Sequence, residues 1–353
     1  MRRGLMAWDS DEIPVWVLKD RAERLQAAIA AAGQDAMILY TNFIRSAAVS
    51  HLVGFSPYWA DGVLLVPREG EAVFATTLSK RVGSWIQTVK PVGDLVNTPA
   101  PGKVIGERLA KLGVRRVAIL ELDAFPGGLY TELAAALPGV EFVDGSESFA
   151  FGRLVCDPIE RRLLERADAI AQDALNTVHS GMTDIGSTVG AVEVHARLHG
   201  AEEVYVAIAP DLDTDRRFLR LSGTRPLGRR FGIRATVAYK GSWIRRTQTY
   251  SQEDNDRSAI ERADAWFQAL ADSVQPRPPV LSQLMFDGEP LPNAEIVDVL
   301  VEAPVGTRPL AVIESSVNWR SNTYMRVPAL VVSMGLTIDH VPWCGARLSG
   351  PSA

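Results

Sequence analysis

The chain is poor in the residues that most often carry metal or redox chemistry. Of 353 residues only two are cysteine, Cys156 and Cys344, and they lie far apart. So few thiols suit a reducing compartment and leave no cysteine spacing of the metal-binding kind. Each is read as a small buried or half-buried residue rather than a reactive thiol. Histidine is nearly as scarce: His51, His179, His195, His199 and His340 are the five, with none between His199 and His340. No apolar run is long enough to span a bilayer, and acidic residues rather than an apolar segment follow Arg2 and Arg3. A secretory signal is therefore not expected, and a cytoplasmic protein is. Internal repeats and low-complexity tracts are absent too. A formal net charge of -5 argues against a general nucleic-acid binder.

Against that mild acidity one region reverses sign. From Arg216 to Gln252 there is no acidic residue, while nine arginines (216, 217, 220, 225, 229, 230, 234, 245, 246) and Lys240 fall in the window. The alternating apolar runs Val204–Ala209 and Phe231–Tyr239 predict two strands of one antiparallel sheet. Gly241 breaks the second run and leads to a third strand at Trp243–Thr247.

The rest divides into two domains, expected at 1–150 and 151–353. The first opens with an arm bearing Trp8 and Trp16. An amphipathic helix (Asp20–Ala32) follows, then strands at Ala36–Tyr40, Asp61–Pro67, Ala72–Thr77, Arg116–Leu120 and Val140–Val143. Ile44–Val53 is a helix or an extended segment, and helices are expected at Lys103–Leu112 and Gly128–Leu137. This βα alternation describes a compact α/β domain with a mixed sheet. In the second domain Asp157-Pro158-Ile159-Glu160 reads as a capping box opening a long helix closed by Gly181. Its buried stripe is Leu163, Ala167, Ile170, Ala174 and Val178. Asp184 caps the next helix, Ile185–His199. A third helix is expected at Glu253–Ser273 and a short fourth at Ala294–Val301. Leu310–Ile313 and Ala329–Val332 read as strands, ahead of a Gly/Pro/Ser tail.

These landmarks resemble the creatinase, aminopeptidase P and prolidase family. The first domain has a helix, then AGQDA (32–36), a strand, and the corner HLVGF (51–55). The second has DPIE (157–160), GMTD (181–184), GAEE (200–203), then Tyr239-Lys240-Gly241 and Arg246-Thr247. Each motif alone is weak; their order and spacing are more specific. The resemblance implies an α/β fold: a creatinase-type N-terminal domain followed by a pita-bread catalytic domain. It also implies a homodimer, with the aromatic arm as a candidate to cover an interface.

The family's chemistry does not transfer. Its metallopeptidases hold two metal ions with two Asp, one His and two Glu. Here the two Asp positions fall near Arg234 and Arg245, and arginine has no acceptor and stays charged. No histidine follows the third helix in the ligand position. Glu314 matches the first glutamate, and the second would lie near Met325-Arg326-Val327-Pro328, where none occurs. The expectation is no metal and no cofactor. Creatinase, the metal-free member, uses a histidine as general acid/base, and the corresponding loop here is Arg216-Arg217-Phe218-Leu219-Arg220-Leu221. No catalytic base can be named.

What remains is the arginine cluster. Arg216, Arg217, Arg225, Arg229 and Arg230 read as exposed loop charges. Arg234, Arg245 and Arg246 lie on the central strands, where inward guanidinium groups either hold an anionic guest or pair with Glu202, Glu203 or Glu314. Tyr239 and Trp243 flank them, as pocket walls or as core. The expected substrate-binding set is thus Arg234, Arg245, Arg246, Tyr239, Trp243, Glu203 and Glu314. His195 and His199, one helical turn apart, are read as helix-surface residues, and His340 beside Asp339 makes no dyad on a strand. Two functions fit: a metal-independent, hydrolase- or lyase-like enzyme acting on a small anionic, amino-acid- or guanidino-like compound, or a non-catalytic binding or scaffold protein. A metal-dependent Xaa-Pro peptidase fits less well. Neither nucleic acid nor a membrane is an expected partner.

Overall fold

The computed structural model of the chain describes residues 8–42, 44–55, 60–89, 93–153, 156–179, 181–273, 276–277, 281–283, 291–304, 306–315, 324–325 and 331–350. The chain divides into two compact units, Met1–Ile159 with Pro304–Ala311, and Glu160–Ala303 with Val312–Ala353.

In chain order the first unit holds α1 (Val15–Ala31), β1 (Ala36–Thr41), α2 (Ala47–Val53), β2 (Gly62–Pro67), β3 (Val73–Thr76), α3 (Gly83–Val89), β4 (Asp94–Asn97), α4 (Pro101–Leu112), β5 (Arg116–Ile119), α5 (Gly127–Ala136), β6 (Glu141–Asp144) and α6 (Ser146–Gly152). The strands form one sheet in the order β4-β3-β2-β1-β5-β6. It is mixed: β1 runs antiparallel to β2 and parallel to β5. β1 and β2 are buried at every position because helices cover both faces. Alternation sends Met37 and Leu39 to one core with Leu25, Ile29 and Phe149, and Ile38 and Tyr40 to the other with Ile105, Leu109 and Leu133. Gly54 ends α2 in the left-handed region at φ 68°, which makes the HLVGF corner a helix C-cap.

The second unit is built from α7 (Pro158–Leu175), α8 (Ile185–Leu198), β7 (Glu203–Ala209), β8 (Arg230–Tyr239), β9 (Ser242–Ser251), α9 (Arg257–Ser273), β10 (Pro276–Arg277), β11 (Leu281–Gln283), β12 (Ala294–Ala303), β13 (Ala311–Ser315), β14 (Tyr324–Met325), β15 (Val331–Ile338) and β16 (Val341–Leu348). Seven strands make the main sheet in the order β13-β12-β15-β16-β9-β8-β7. Both central hairpins turn through two residues of positive φ, Lys240-Gly241 and Asp339-His340. That is the mirror-image turn whose twist matches paired strands. His340 is thus a turn residue.

Several expectations need correction. Residues 294–301 are strand, not helix: β12 pairs antiparallel with β15 from Ala294 to Glu302. Ile296, Val297, Val299 and Val301 are β-branched, and that stiffness suits a pleated surface better than a helical turn. The long helix stops at Leu175, six residues before Gly181. There the Tyr250 hydroxyl donates to the Leu175 carbonyl at 2.8 Å and the Thr177 hydroxyl to that of Ala174 at 2.7 Å. Side chains therefore satisfy the helix end that a glycine was expected to close. Asp184 does cap α8, accepting from the Ser187 amide at 3.0 Å. The carboxylate of Asp157 accepts from Arg21 at 2.7 and 3.1 Å. β16 is buried at all eight positions although its Pro342 and Gly345 resemble a loop. A Cβ on Gly345 would sit 2.2 Å from the Trp343 ring, so glycine is what lets that ring lie along its own strand.

Candidate functional site

Strand alternation sorts the arginine cluster. In the β8–β9 ladder Arg234 faces Thr247, and Thr236 faces Arg245. Directly paired residues share a face, so Arg234, Arg245, Thr247 and Trp243 project together, with Tyr205 opposite Thr236 and Glu203 opposite Ala238 on β7. Arg246 and Tyr239 must point the other way. The first direction is the loop face, bordered by Arg216, Phe218 and Arg220. The second is the helix face, covered by α7 and α9.

On the helix face both sheet arginines are paired with an aspartate of a covering helix. Arg246 donates to Asp168 of α7 at 2.5 Å, with 11% and 22% of the two side chains exposed. The Arg347 guanidinium donates to Asp264 of α9 at 3.0 Å, and Phe267 of α9 meets Trp343 edge-on at 5.2 Å. Tyr239 lies under the Arg166 guanidinium of α7 at 5.9 Å. Arg246 and Tyr239, expected in the binding set with Arg234 and Arg245, project from the opposite face of the sheet and meet α7 there.

The loop face differs. Arg245 donates to Glu302 of β12 at 2.5 Å and to the Thr236 hydroxyl at 3.2 Å. The Glu302 side chain is only 4% exposed, so it needs this cation. Arg234 is half-buried, and no carboxylate among the described residues forms an ion pair with it. Its Nε donates to the Thr247 hydroxyl at 3.3 Å, and its guanidinium stacks 4.1 Å over the Phe218 ring. Burial, then the neighbouring charge of Arg245, lowers its pKa, the signature of a cation under-supplied with negative charge. Arg216 reaches from the loop to β15, donating to the Leu336 carbonyl at 3.2 Å and the Thr337 hydroxyl at 2.7 Å. Beneath them Cys344 is buried, and its thiol is pushed up to about 11, chiefly by burial. It stays protonated and poorly nucleophilic. At the margin Trp243 stacks on Tyr205 at 5.7 Å and Arg220 lies 4.5 Å over the same ring.

Among the described residues the partners of Arg245 and Arg246 are therefore Glu302 and Asp168, neither of which was among the expected carboxylates. Glu203 begins β7 on the loop face. Glu314 lies on β13, and its side chain falls outside the described residues, as does the segment 326–328 where a second family glutamate was sought. Arg230 is no loop charge: it opens β8 and donates to Asp256 at 2.6 and 2.7 Å. His195 and His199 stack at 4.0 Å on α8. Among the described residues no three His, Cys, Asp or Glu gather as a metal-holding group. Guanidinium groups at 234 and 245 do not fit a pair of divalent cations, which they would repel. Sequence reasoning missed Asp298, Glu302, Tyr205 and Phe218. The helix drawn over 294–301 hid Asp298 and left Glu302 just past its end, although its β-branched residues were the available signal.

Comparison with known proteins defines the fold. Residues 21–155 match the Creatinase/Prolidase N-terminal domain family. The whole chain shares its fold with an Xaa-Pro dipeptidase from Bacillus anthracis (15% identity, TM-score 0.63, 95% of each chain). The same holds for an X-Pro aminopeptidase from Thermotoga maritima (14%, TM-score 0.66, 93% of this chain and 96% of that one). A prolidase from Pyrococcus furiosus aligns over 94% of this chain and 96% of its own, at 12% identity and TM-score 0.60. No match is found among curated protein sequences. The family match thus falls within the first unit, and the chain as a whole has the mixed α/β fold of the creatinase and aminopeptidase P family, with a pita-bread second domain.

Proposed function

We propose that the loop face of the second unit binds a small anionic molecule without a metal ion, with Arg234 as its anchor. The carrying observation is a half-buried guanidinium with no carboxylate partner among the described residues, on a face where Arg245 is already paired. A guanidinium offers a carboxylate two parallel, charge-assisted hydrogen bonds, which favours an amino-acid- or guanidino-like acid. Trp243 and Tyr205 supply an apolar margin. A hydrolase- or lyase-like activity on that molecule rests on fold likeness alone, which is an analogy. The Arg245–Glu302 pair, which occupies part of the face, favours the second reading, a non-catalytic binding protein. Trp16, 62% exposed, is the candidate contact for a homodimer.

Thermal-shift and calorimetric titration with small carboxylates test the anchor. Arg234→Met is expected to weaken binding about ten- to a hundredfold, the worth of roughly 1.5–3 kcal/mol of charge-assisted bonding. Elemental analysis of tag-free, dialysed protein is expected to find well under one equivalent of manganese, cobalt, zinc or iron. A stoichiometric metal would overturn the metal-independent reading.

A further inference from the structure

The loop face carries a second charge that the fold leaves unused. β12 pairs with β15 in regular register from Glu302 opposite Val331 to Asp298 opposite Gly335, then slips between Asp298 and Ile296. Val297 is displaced outward and is 55% exposed. A bulge of this kind bends a strand and re-aims the neighbouring side chain, and bulges concentrate beside binding sites. The re-aimed residue is Asp298. Its Oδ1 lies so low over β15 that a Cβ on Gly335 would come within 2.1 Å of it. No hydrogen bond or ion pair engages this carboxylate among the described residues. Glu302, four residues along the same strand, is engaged by Arg245.

Asp298 and Arg234 are opposite in charge and project from the same face of the sheet. They form no ion pair, yet the charge of Asp298 acts on Arg234, and both charges act on the Cys344 thiol, whose strand position faces Gly335 beneath Asp298. Gly232 lets two side chains close over the sheet there: a Cβ on it would meet the Cys344 sulfur at 2.8 Å and the Phe218 ring at 3.0 Å. Phe218 in turn holds the Arg234 guanidinium in place. An isolated anion would suit Arg234 but would be repelled by Asp298. A molecule carrying both signs satisfies both poles, and each of its ends adds a charge-assisted bond.

We infer that Asp298 is the cation-binding pole of this site, so that the ligand is dipolar, with its carboxylate on Arg234 and an ammonium or guanidinium group on Asp298. This rests on the anion-binding reading above and adds to it the second half of the molecule. The test uses the full chain and three sets of probes: glycine, β-alanine and γ-aminobutyrate; acetate, propionate and butyrate; and propylamine and butylamine. At least one amino acid is expected to raise the melting temperature of the wild type more than its matched carboxylate does at equal concentration. Asp298→Asn is expected to weaken that amino acid about tenfold while leaving the carboxylate response no weaker, since a repelling charge is removed, and Arg234→Met to abolish both. The unliganded melts of both variants report whether they fold, and Asp298→Ser is a second substitution at the exposed position. Equal responses to amino acid and carboxylate, unaltered by Asp298→Asn, overturn the dipolar ligand and leave the anion site standing. If none of the acids stabilises the wild type, both readings fall.

Discussion

The two faces of the seven-stranded sheet hold the same type of residue under opposite conditions. On the helix face Arg246 and Arg347 each meet an aspartate from a packed helix. On the loop face Arg245 meets Glu302, while Arg234, next to it on the same face, meets only a hydroxyl and an aromatic ring. A buried ion pair adds little net stability, but breaking one is costly because the remaining charge stays in low dielectric. Arg234 has no such partner to strand among the described residues. The difference separates arginines paired within the fold from the one proposed as an anchor.

The largest expected effect tests that separation directly. Arg245→Met leaves the Glu302 carboxylate buried without its cation and is expected to cost roughly 3–5 kcal/mol. Urea unfolding measures it, and the double variant with Glu302→Gln should regain much of the loss. Arg246→Met comes next. Its partner Asp168 is more exposed and can recover some hydration, so a loss of about 2 kcal/mol is expected. A small loss at Arg245 would break the comparison.

The third test moves to the first unit, where a titratable base replaces the guanidinium. Burial, then the charges of Arg153, Arg21 and Arg24, holds the His51 imidazole well below its ordinary value of 6.5. It is neutral when folded, so below pH 6.5 the unfolded chain takes up the extra proton. Stability then falls toward acid, by up to about 1.4 kcal/mol per pH unit until the lowered folded value is reached. Melting temperatures from pH 7.5 down to about 5.5 should show this slope in the wild type and lose that component in His51→Leu. The smallest effect is expected at Arg234. Arg234→Met should change the unliganded melt by no more than about 1 kcal/mol, in either direction. A loss as large as that of Arg245→Met would make Arg234 structural and end its role as an anchor.

Local pattern made much of this legible and long-range pairing concealed the rest. β7, β8 and β9 follow from alternation, and α8 from the Asp184 cap, because both signals lie within a few residues. The same alternation places the adjacent Arg245 and Arg246 on opposite faces once the strand is accepted. Their partners were not readable: Glu302 and Asp168 lie 57 and 78 residues away in sequence. Asp298 was hidden twice, by the helix reading of its strand and by a bulge whose register depends on β15. β16 went unread because Pro342 and Gly345 imitate a turn, and only the packing of Trp343 explains the glycine.

The place of β16 also sets an order in time. It stands between β15 and β9, so it alone joins the group β13-β12-β15 to the group β9-β8-β7. During synthesis β7, β8 and β9 leave the ribosome roughly a hundred residues before the strand that completes them. Until Leu348 emerges, β9 presents an unpaired edge of the kind that recruits foreign strands. Arg245 and Arg246 lie on that waiting strand, where they bring charge to both sides of it, as gatekeeper residues do beside hydrophobic strands.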